Sequence, residues 1–519
     1  MKKNLEIQVL IIGGGATGTG IARDLSLRGV KCILVEKKDI NAGASGANHG
    51  LLHSGARYVS NDPESAQECR DENRLLKQLT PDCIEATGGL FVAVKGDDEQ
   101  FIADFPNYCE KAGLPCKQMD IRDAMEAEPA LSDKTIAAYE VEDASVDPFK
   151  LVLENITDAQ KLGCKFFREM KVVGFEKNKT RICAVDLVNK NTGEKMTIEA
   201  EMVINATGAW AGEVAKMAGA AIDLIYSKGT LVITHSRVSH RVINRLRPPS
   251  DADILVPGGT VSVIGTTSLR MDSLDDIRPT VAEVDRIVDE GASMMPCLDS
   301  VRYIRAYSGV RPLLGGGGKG DDRSVTRGFD LVDHKKDDIE NFITITGGKL
   351  TTFRLMAEKT ADLVCERLGI SATCQTKRIP LISAHKTRWA VPGFSPKEWF
   401  KGHKSDDLLL CECEMVPQSA IEEIISSFDI FEKQADLKGI GQRSRIGKGS
   451  CQGSFCSIRI AAYLYDRGHL SADQGIDNLK AFINGRWKGQ RSLLWDMPVI
   501  QADLQEAMHC GLFGLELQG

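Results

Sequence analysis

The chain has 519 residues, of which 42% are hydrophobic and 26% charged, with a formal net charge of −7. This is the balance of a water-soluble globular protein with room for two or three domains. The acidic surplus gives no support to a nucleic-acid partner. No apolar run of 18 residues and no N-terminal apolar leader is present, so neither a membrane span nor secretion is expected. The 15 cysteines then read as thiols or metal ligands rather than a disulfide framework.

Residues 9–36, VLIIGGGATGTGIARDLSLRGVKCILVE, carry the clearest signal. Val9 to Ile12 make a short buried strand. Gly13, Gly15 and Gly18 follow in GxGxxG spacing. They serve, in turn, a tight turn, close approach of backbone to a pyrophosphate, and packing of helix on strand. Ile21, Ala22 and Leu25 give the helix an apolar face, and Arg28-Gly29 ends it. A second strand, Cys32 to Val35, delivers Glu36 where a carboxylate accepts from ribose hydroxyls. That acid argues against a 2′-phosphate and for FAD or NAD.

Downstream, NAGASGANHGLLHSGARY (41–58) is too rich in small residues for a packed helix face. It reads as a loop beside a ligand, with Ser45, Asn48, His49, His53, Arg57 and Tyr58 as polar handles. Helices are expected over 62–87, within 98–130 and over 144–163. A strand is expected at 89–94, and alternating strands over 165–188 with a turn at Lys177-Asn178. MVINATGAWAG (202–212) is a strand ending in a small turn, so Ala206 and Gly208 can return to the same dinucleotide. Residues 225–325 are strand-rich, and GGGGKGDDR (315–323) is a surface loop by composition. In NFITITGGKLTTFR a strand runs into Gly347-Gly348-Lys349-Leu350 and a helix, whose N-terminus would aim amides at an electron-rich ligand.

Cys411-x-Cys413 closes an apolar strand, and Cys451-x4-Cys456 opens a helix among Gly447, Gly449 and Gly453. Two close thiol pairs on glycine-rich turns form a metal-site pattern. Zinc pairs usually have two to four residues between ligands, and Cys-x-Cys is short for that; a [2Fe–2S] cluster is the other standard solution, and a vestigial thiol cluster is the third alternative. Arg443 and Arg445 are placed to tune such a centre.

GGGATGTG with its following glutamate, HSGARY and TITGGKLTTFR together resemble the FAD-dependent glycerol-3-phosphate dehydrogenases of the D-amino-acid-oxidase-like superfamily. SDADILVPGG, IGTTSLR and RAYSGVRPL add to the likeness, which spans roughly residues 6–370. The cysteine module resembles bacterioferritin-associated-ferredoxin-like [2Fe–2S] domains. With it the chain is similar throughout to the A subunits of the anaerobic enzymes. The resemblance implies an α/β fold: a Rossmann-like FAD-binding domain with an inserted antiparallel substrate sheet, plus a small C-terminal α+β iron–sulfur domain. Boundaries follow at 1–370 for the oxidoreductase (FAD-binding about 1–90, 145–220 and 326–370; substrate-covering about 91–144 and 221–325). A linker is expected at 371–405, the [2Fe–2S] domain at 406–468 and a capping segment at 469–519.

The implied reaction is oxidation of sn-glycerol 3-phosphate to dihydroxyacetone phosphate. A phosphate dianion needs fixed cations, and the resemblance selects Arg57, Arg311, Arg327 and Lys349. His53 is the expected acceptor of the hydroxyl proton. Implied partners are a second flavin subunit, with an iron–sulfur membrane-anchor subunit leading to a quinone pool. The expected location is cytoplasmic, attached peripherally to the inner face of the membrane. An amino-acid or 2-hydroxy-acid dehydrogenase, a noncatalytic flavin electron-transfer protein and an oxygen-using oxidase are the competing readings.

Overall fold

The computed structural model describes residues 3–315, 328–381, 395–402, 404–428, 435–512 and 514–515. In chain order the elements that frame the site are β1 (Lys3–Ile12), α1 (Ala16–Leu27), β2 (Cys32–Val35), β3 (Lys195–Asn205), β4 (Leu224–Thr234), β5 (Tyr303–Leu314), β6 (Phe342–Gly347), α2 (Phe353–Leu368), α3 (Ala472–Gln490) and α4 (Met497–Glu506).

Alternation along β1 builds two cores. Val9 and Ile11 face one way, packing with Leu34, Ile204, Leu25 of α1 and Ala357 and Val364 of α2. Leu10 and Ile12 face the other way, with Ile33, Val35, Val203 and Val214. The strands β2, β1, β3 and β6 run parallel, with Ile12 opposite both Val35 and Asn205, and Asn205 opposite Thr344. Their carboxyl ends therefore reach one edge together, which brings the Gly13 turn, Glu36, Ala206 and Gly347 side by side. A hairpin of Met170–Asn178 and Arg181–Asn189 extends this sheet through β3.

A second sheet lies over that edge. It joins Gly89–Val94, Lys117–Met119 and Thr135–Val141 to β4, Val242–Arg245, Ile254–Gly258, Val261–Gly265, Leu269–Met271 and β5. The sheet is antiparallel, as expected of the insert, at every pairing but one. Val242–Arg245 runs parallel to Gly89–Val94, because the chain crosses from one part of the insert to the other there.

Two further expectations need correction, and a third falls largely outside the described residues. Lys177 and Asn178 are strand residues, and the reversal comes at Lys179, which adopts a left-handed φ of 54°. The loop at 315–323 lies almost wholly outside the described residues. Residues 371–381 are no free linker: Arg23 donates to the carbonyls of Ile379 and Pro380, Thr376 to Asp24, and Leu381 is buried. The rest of the expected linker up to 394 lies outside the described residues.

The C-terminal module has its own core, where Phe482, Ile483, Ile460 and Ile421 meet. It is bolted to the rest by buried charge. Arg443 forks onto Asp39 at 2.7 and 3.0 Å, and Arg168 bridges Asp39 (3.4 Å) and Asp436 (2.9 Å). Arg443 is thus spent on docking, and Arg445 is held by Glu414 at 2.9 Å. Neither guanidinium is left to the cysteines alone. Asp39 is 1% exposed. Burial alone would raise its pKa, but Arg443 and Arg168 outweigh that and hold it below the ordinary range. Arg443→Met strands that carboxylate and should cost about 3 kcal/mol. A depressed acid lends its stability above its unfolded pKa and loses it as pH falls further. The gap in unfolding free energy between wild type and variant should therefore close below about pH 4, which denaturant melts across pH would check.

The segment 469–519 also does more than cap. Leu493 is buried in the core under the substrate sheet, beside Tyr303, Val284 and Ile287. Gly489 lets α3 settle on β5, since a Cβ there would meet Arg305 Cζ at 2.7 Å and the Ala306 carbonyl at 2.8 Å. No helix among the described residues is long and apolar enough to cross a membrane.

Candidate active site

One cleft runs from the Gly13 turn to the inner face of the substrate sheet, and every expected ligand-side residue except Gly18 and Arg327 lines it. Gly18 lies behind the turn, where a Cβ would stand 1.9 Å from the Gly13 carbonyl oxygen. Its part is to let α1 close on the strand. Arg327 lies outside the described residues.

At the turn end, Gly13 has φ of +117°, and a Cβ would stand 2.5 Å from the Ala206 carbonyl. Glu36 accepts from the Gly14 and Lys38 amides at 2.8 Å each, which fixes its carboxylate at the strand end. Ser45 Oγ accepts from the Ala16 amide at 2.9 Å, so this loop touches the first turn of α1. Asn48 bonds inward, donating to Ser45 O (2.8 Å) and accepting from Gly50 N (2.8 Å), and so shapes the loop. Gly208 follows β3 with φ of 57°, its carbonyl accepting from Thr346 Oγ1 at 3.3 Å.

The Gly347-Gly348 pair departs from expectation. Both residues have positive φ, 82° and 70°. The Gly348 amide is taken by Gly328 O (2.8 Å) and the Lys349 amide by Thr352 Oγ1 (3.2 Å). These amides close the turn rather than wait for a ligand. The turn brings Lys349 into the cleft with its ammonium 4.9 Å above the Tyr58 ring.

At the far end the cations gather. Arg57 is paired with the buried Asp253 and reaches Arg245 O at 3.4 Å. Arg311 bonds Thr266 Oγ1 and reaches Thr267 O at 3.4 Å. Between them lie two imidazoles with ring centroids 6.2 Å apart, His49 and His53. Burial, then the charges of Arg311 and Arg57, bring His49 down to about 3, and its buried Nδ1 has no hydrogen-bond partner. Burial, then His49, Lys349 and Arg57, hold His53 well below its ordinary value. Both rings are therefore neutral at pH 7. His53 Nε2 lies 3.4 Å from Tyr58 Oη, and its backbone amide is fixed by Thr351 Oγ1 at 3.0 Å.

Sequence reasoning did not place Asp253, Thr266, Tyr307, Lys37 or Trp210 in the site. Lys37 lies 3.6 Å over the Trp210 ring at the cleft wall. Tyr307 donates to Asn48 O at 2.7 Å, tying β5 to the loop. IGTTSLR and SDADILVPGG did point to the neighbourhoods of Thr266 and Asp253.

The cleft fits an extended flavin dinucleotide. Cβ atoms would collide with backbone at Gly13 and Gly18, an acid ends β2, and His49, whose buried Nδ1 has no hydrogen-bond partner, is among the lining residues. The four cysteines also come together. Cys413 Sγ lies 3.7 Å from both Cys411 Sγ and Cys451 Sγ, and the Cys456 thiol bonds Cys411. A Cβ at Gly449 would stand 2.6 Å from Cys413 Sγ. These sulfur contacts run as an open chain, and no group of three or more His, Cys, Asp or Glu among the described residues is arranged so that it could hold a metal ion.

Comparison with known proteins agrees with this layout. The model of the FAD dependent oxidoreductase family (DAO) matches residues 8–363. The chain is similar to the A subunits of the anaerobic glycerol-3-phosphate dehydrogenases of two bacteria. That of Escherichia coli is 40% identical over 98% of this chain and 97% of its own length. That of Haemophilus influenzae is 37% identical over 99% and 94%. Among solved structures, the glycerol-3-phosphate dehydrogenase of Bacillus halodurans complexed with FAD superposes with a TM-score of 0.64 at 20% identity, covering 93% of this chain and 95% of that one. L-proline dehydrogenase of P. horikoshii gives 0.59 at 21% identity, covering 76% and 99%.

Proposed function

The chain belongs to the FAD-dependent oxidoreductase family, among the A subunits of the anaerobic glycerol-3-phosphate dehydrogenases, and from this we propose that it oxidises sn-glycerol 3-phosphate to dihydroxyacetone phosphate. The observation that carries the reading is the polarity of the cleft. A dinucleotide-shaped turn forms one end, and Arg57, Arg311 and Lys349 gather at the other.

FAD, when bound, supplies the two-electron acceptor for the hydride of carbon 2. Gly13, Gly15, Glu36, Ser45, Ala206 and Gly208 are the residues that would hold its dinucleotide, with Asn48, His49 and the 347–350 turn along its other half. Arg311 and Lys349 bind the phosphoryl oxygens, and Arg57, already half-neutralised by Asp253, adds to the field. Arg327 is a further candidate from the resemblance alone. His53 Nε2 takes the hydroxyl proton. Its depressed basicity keeps it unprotonated in the free enzyme. An arriving dianion cancels the field of Lys349 and Arg57, so His53 becomes a stronger base when substrate is present. His53→Asn should lower kcat by about 10²- to 10⁴-fold and remove the acid limb of the pH–rate profile, with flavin content retained. An unchanged profile would take the proton-acceptor role from His53.

We assign Cys411, Cys413, Cys451 and Cys456 to a [2Fe–2S] cluster, which would supply one-electron transfer toward partner subunits. Those partners are a second flavin subunit, with an iron–sulfur membrane anchor and a quinone pool beyond, which puts this chain at the inner membrane face. Iron and acid-labile sulfide assays on anaerobically purified protein separate this from zinc. The two sheets and the C-terminal core support a division near 1–370 and 406–468, with the segment 469–519 shared between the cysteine module, through Phe482 and Ile483, and the core under the substrate sheet, through Leu493. The decisive experiment is anaerobic titration with glycerol 3-phosphate. Bleaching of flavin absorbance by the phosphate ester, and none by proline or a 2-hydroxy acid, is expected. The reverse pattern would shift the reading to the amino-acid branch of the fold.

A further inference from the structure

Behind Arg311, on the side away from the cleft, lies a buried carboxylate that the proposed reaction does not use. Glu283 is 4% exposed, near the start of the helix Val281–Met294. Its Oε1 accepts from Thr230 Oγ1 (2.8 Å) and Thr267 Oγ1 (3.0 Å). Its Oε2 meets Lys228 Nζ at 2.9 Å and accepts from the Thr280 amide (3.0 Å) and hydroxyl (2.9 Å). All these partners donate, so only an ionised carboxylate satisfies them. Burial would raise its pKa, but Lys228 and the hydroxyls of Thr230 and Thr280 bring it below the ordinary range.

A helix cap needs only the Thr280 contacts. The other three bonds reach across to the sheet that holds the guanidinium. Thr267 receives the Thr230 amide on its hydroxyl at 3.0 Å, and its carbonyl accepts from Arg311 Nη1. Thr266, next to it, accepts from Arg311 Nη2. Lys228 and Thr230 flank Gly229, which pairs with Gly309 on β5, two residues before Arg311. A Cβ at Gly229 would stand 2.4 Å from Arg311 Nη2 and 2.7 Å from Cζ. The guanidinium therefore lies on a bare patch of β4, framed by Thr266 and by Thr267, whose hydroxyl Glu283 holds while Lys228 pairs with that carboxylate.

We propose that Glu283, Lys228 and Gly229 form a seat that fixes the Arg311 guanidinium in its phosphate-binding orientation, Glu283 being a positioning residue for substrate binding. A long arginine side chain otherwise loses rotamer freedom on binding its anion. The seat has already restricted that freedom in the free enzyme, so it acts on affinity rather than on the chemical step. The inference rests on Arg311 as a phosphate ligand.

The test is steady-state kinetics of the flavin-loaded enzyme with glycerol 3-phosphate, beside displacement by inorganic phosphate as a competitive probe. Glu283→Gln should raise KM and the phosphate inhibition constant at least tenfold, with kcat within about threefold and flavin content unchanged. Gly229→Ala guards against a folding defect, because the atoms nearest its new methyl all belong to the movable tip of Arg311. It should give the same split between KM and kcat. In an Arg311→Ala background neither change should raise KM further. Wild-type constants in both single variants would overturn the seat. So would additive increases in the Arg311→Ala background. If instead Arg311→Ala alone leaves KM unchanged, the phosphate-ligand reading has failed rather than the seat.

Discussion

Gly18→Ala protein should purify without yellow colour. The Gly18 Cβ position is 1.9 Å from the Gly13 carbonyl oxygen, and that oxygen cannot swing aside. Gly13 donates to Val35 O at 2.8 Å on one flank and lies against the Ala206 carbonyl on the other. Relief must come from moving α1 off the sheet, which opens the packing of Ile21, Ala22 and Leu25, each fully buried. Backbone displacement of that kind costs more than about 3 kcal/mol, and it displaces the helix end that would face a pyrophosphate. The measurement is the ratio of flavin to protein absorbance, with unfolding free energy alongside. Gly475→Ala is the control. It sits in α3 with no atom within 4 Å of a new Cβ, so it should retain its flavin and gain up to about 1 kcal/mol. A fully yellow Gly18→Ala protein would show that the turn tolerates what its geometry forbids.

Arg311→Ala should raise KM for glycerol 3-phosphate about 100-fold, equivalent to about 3 kcal/mol, while flavin loading stays near wild type. The asymmetry comes from where its bonds go. Thr266 and Thr267 belong to the substrate sheet, and the strands that end at the dinucleotide turn belong to the other. Arg311→Lys should recover only part of the affinity, because an ammonium cannot meet two phosphoryl oxygens in a planar fork. Loss of flavin in step with affinity would mark Arg311 as structural. The three cations differ in surroundings. Arg57 shares Asp253 with Arg247, which donates to it at 2.8 Å, so Arg57→Ala leaves a counter-charged carboxylate and should hurt binding less.

What could be read from the sequence depended on range. The βαβ unit is local: strand, turn, helix and acid fall within 28 residues, and each has one favoured geometry. Its edge position follows from parallel pairing. The place of a turn at 347–350 and the closeness of each cysteine pair are local in the same way, though not the job of the turn's amides. Pairings across long separations were not legible. Nothing in the neighbourhood of Arg57 announces Asp253, 196 positions away, and nothing near Asp39 announces Arg443, 404 positions on. The tightly bound 371–381 segment read as a linker because its anchors, Arg23 and Asp24, sit on α1 and its own residues show no periodicity. The glycines at 347 and 348 were read for exposed amides. Positive φ explains them better, since the amides of Gly348 and Lys349 are already bonded.

Leu493 has a consequence for how the molecule is made. The substrate sheet is largely synthesised once β5 has left the ribosome, yet one wall of its interior is supplied by Leu493 and Trp495, far downstream of β5, with Trp495 6.2 Å from the Tyr303 ring. Until that late piece arrives, the nascent insert carries an open apolar face, and closing it requires a long-range contact. A ribosome stalled before Leu493 should therefore display a protease-sensitive insert above an already resistant nucleotide fold, and synthesis past Trp495 should protect the insert as well.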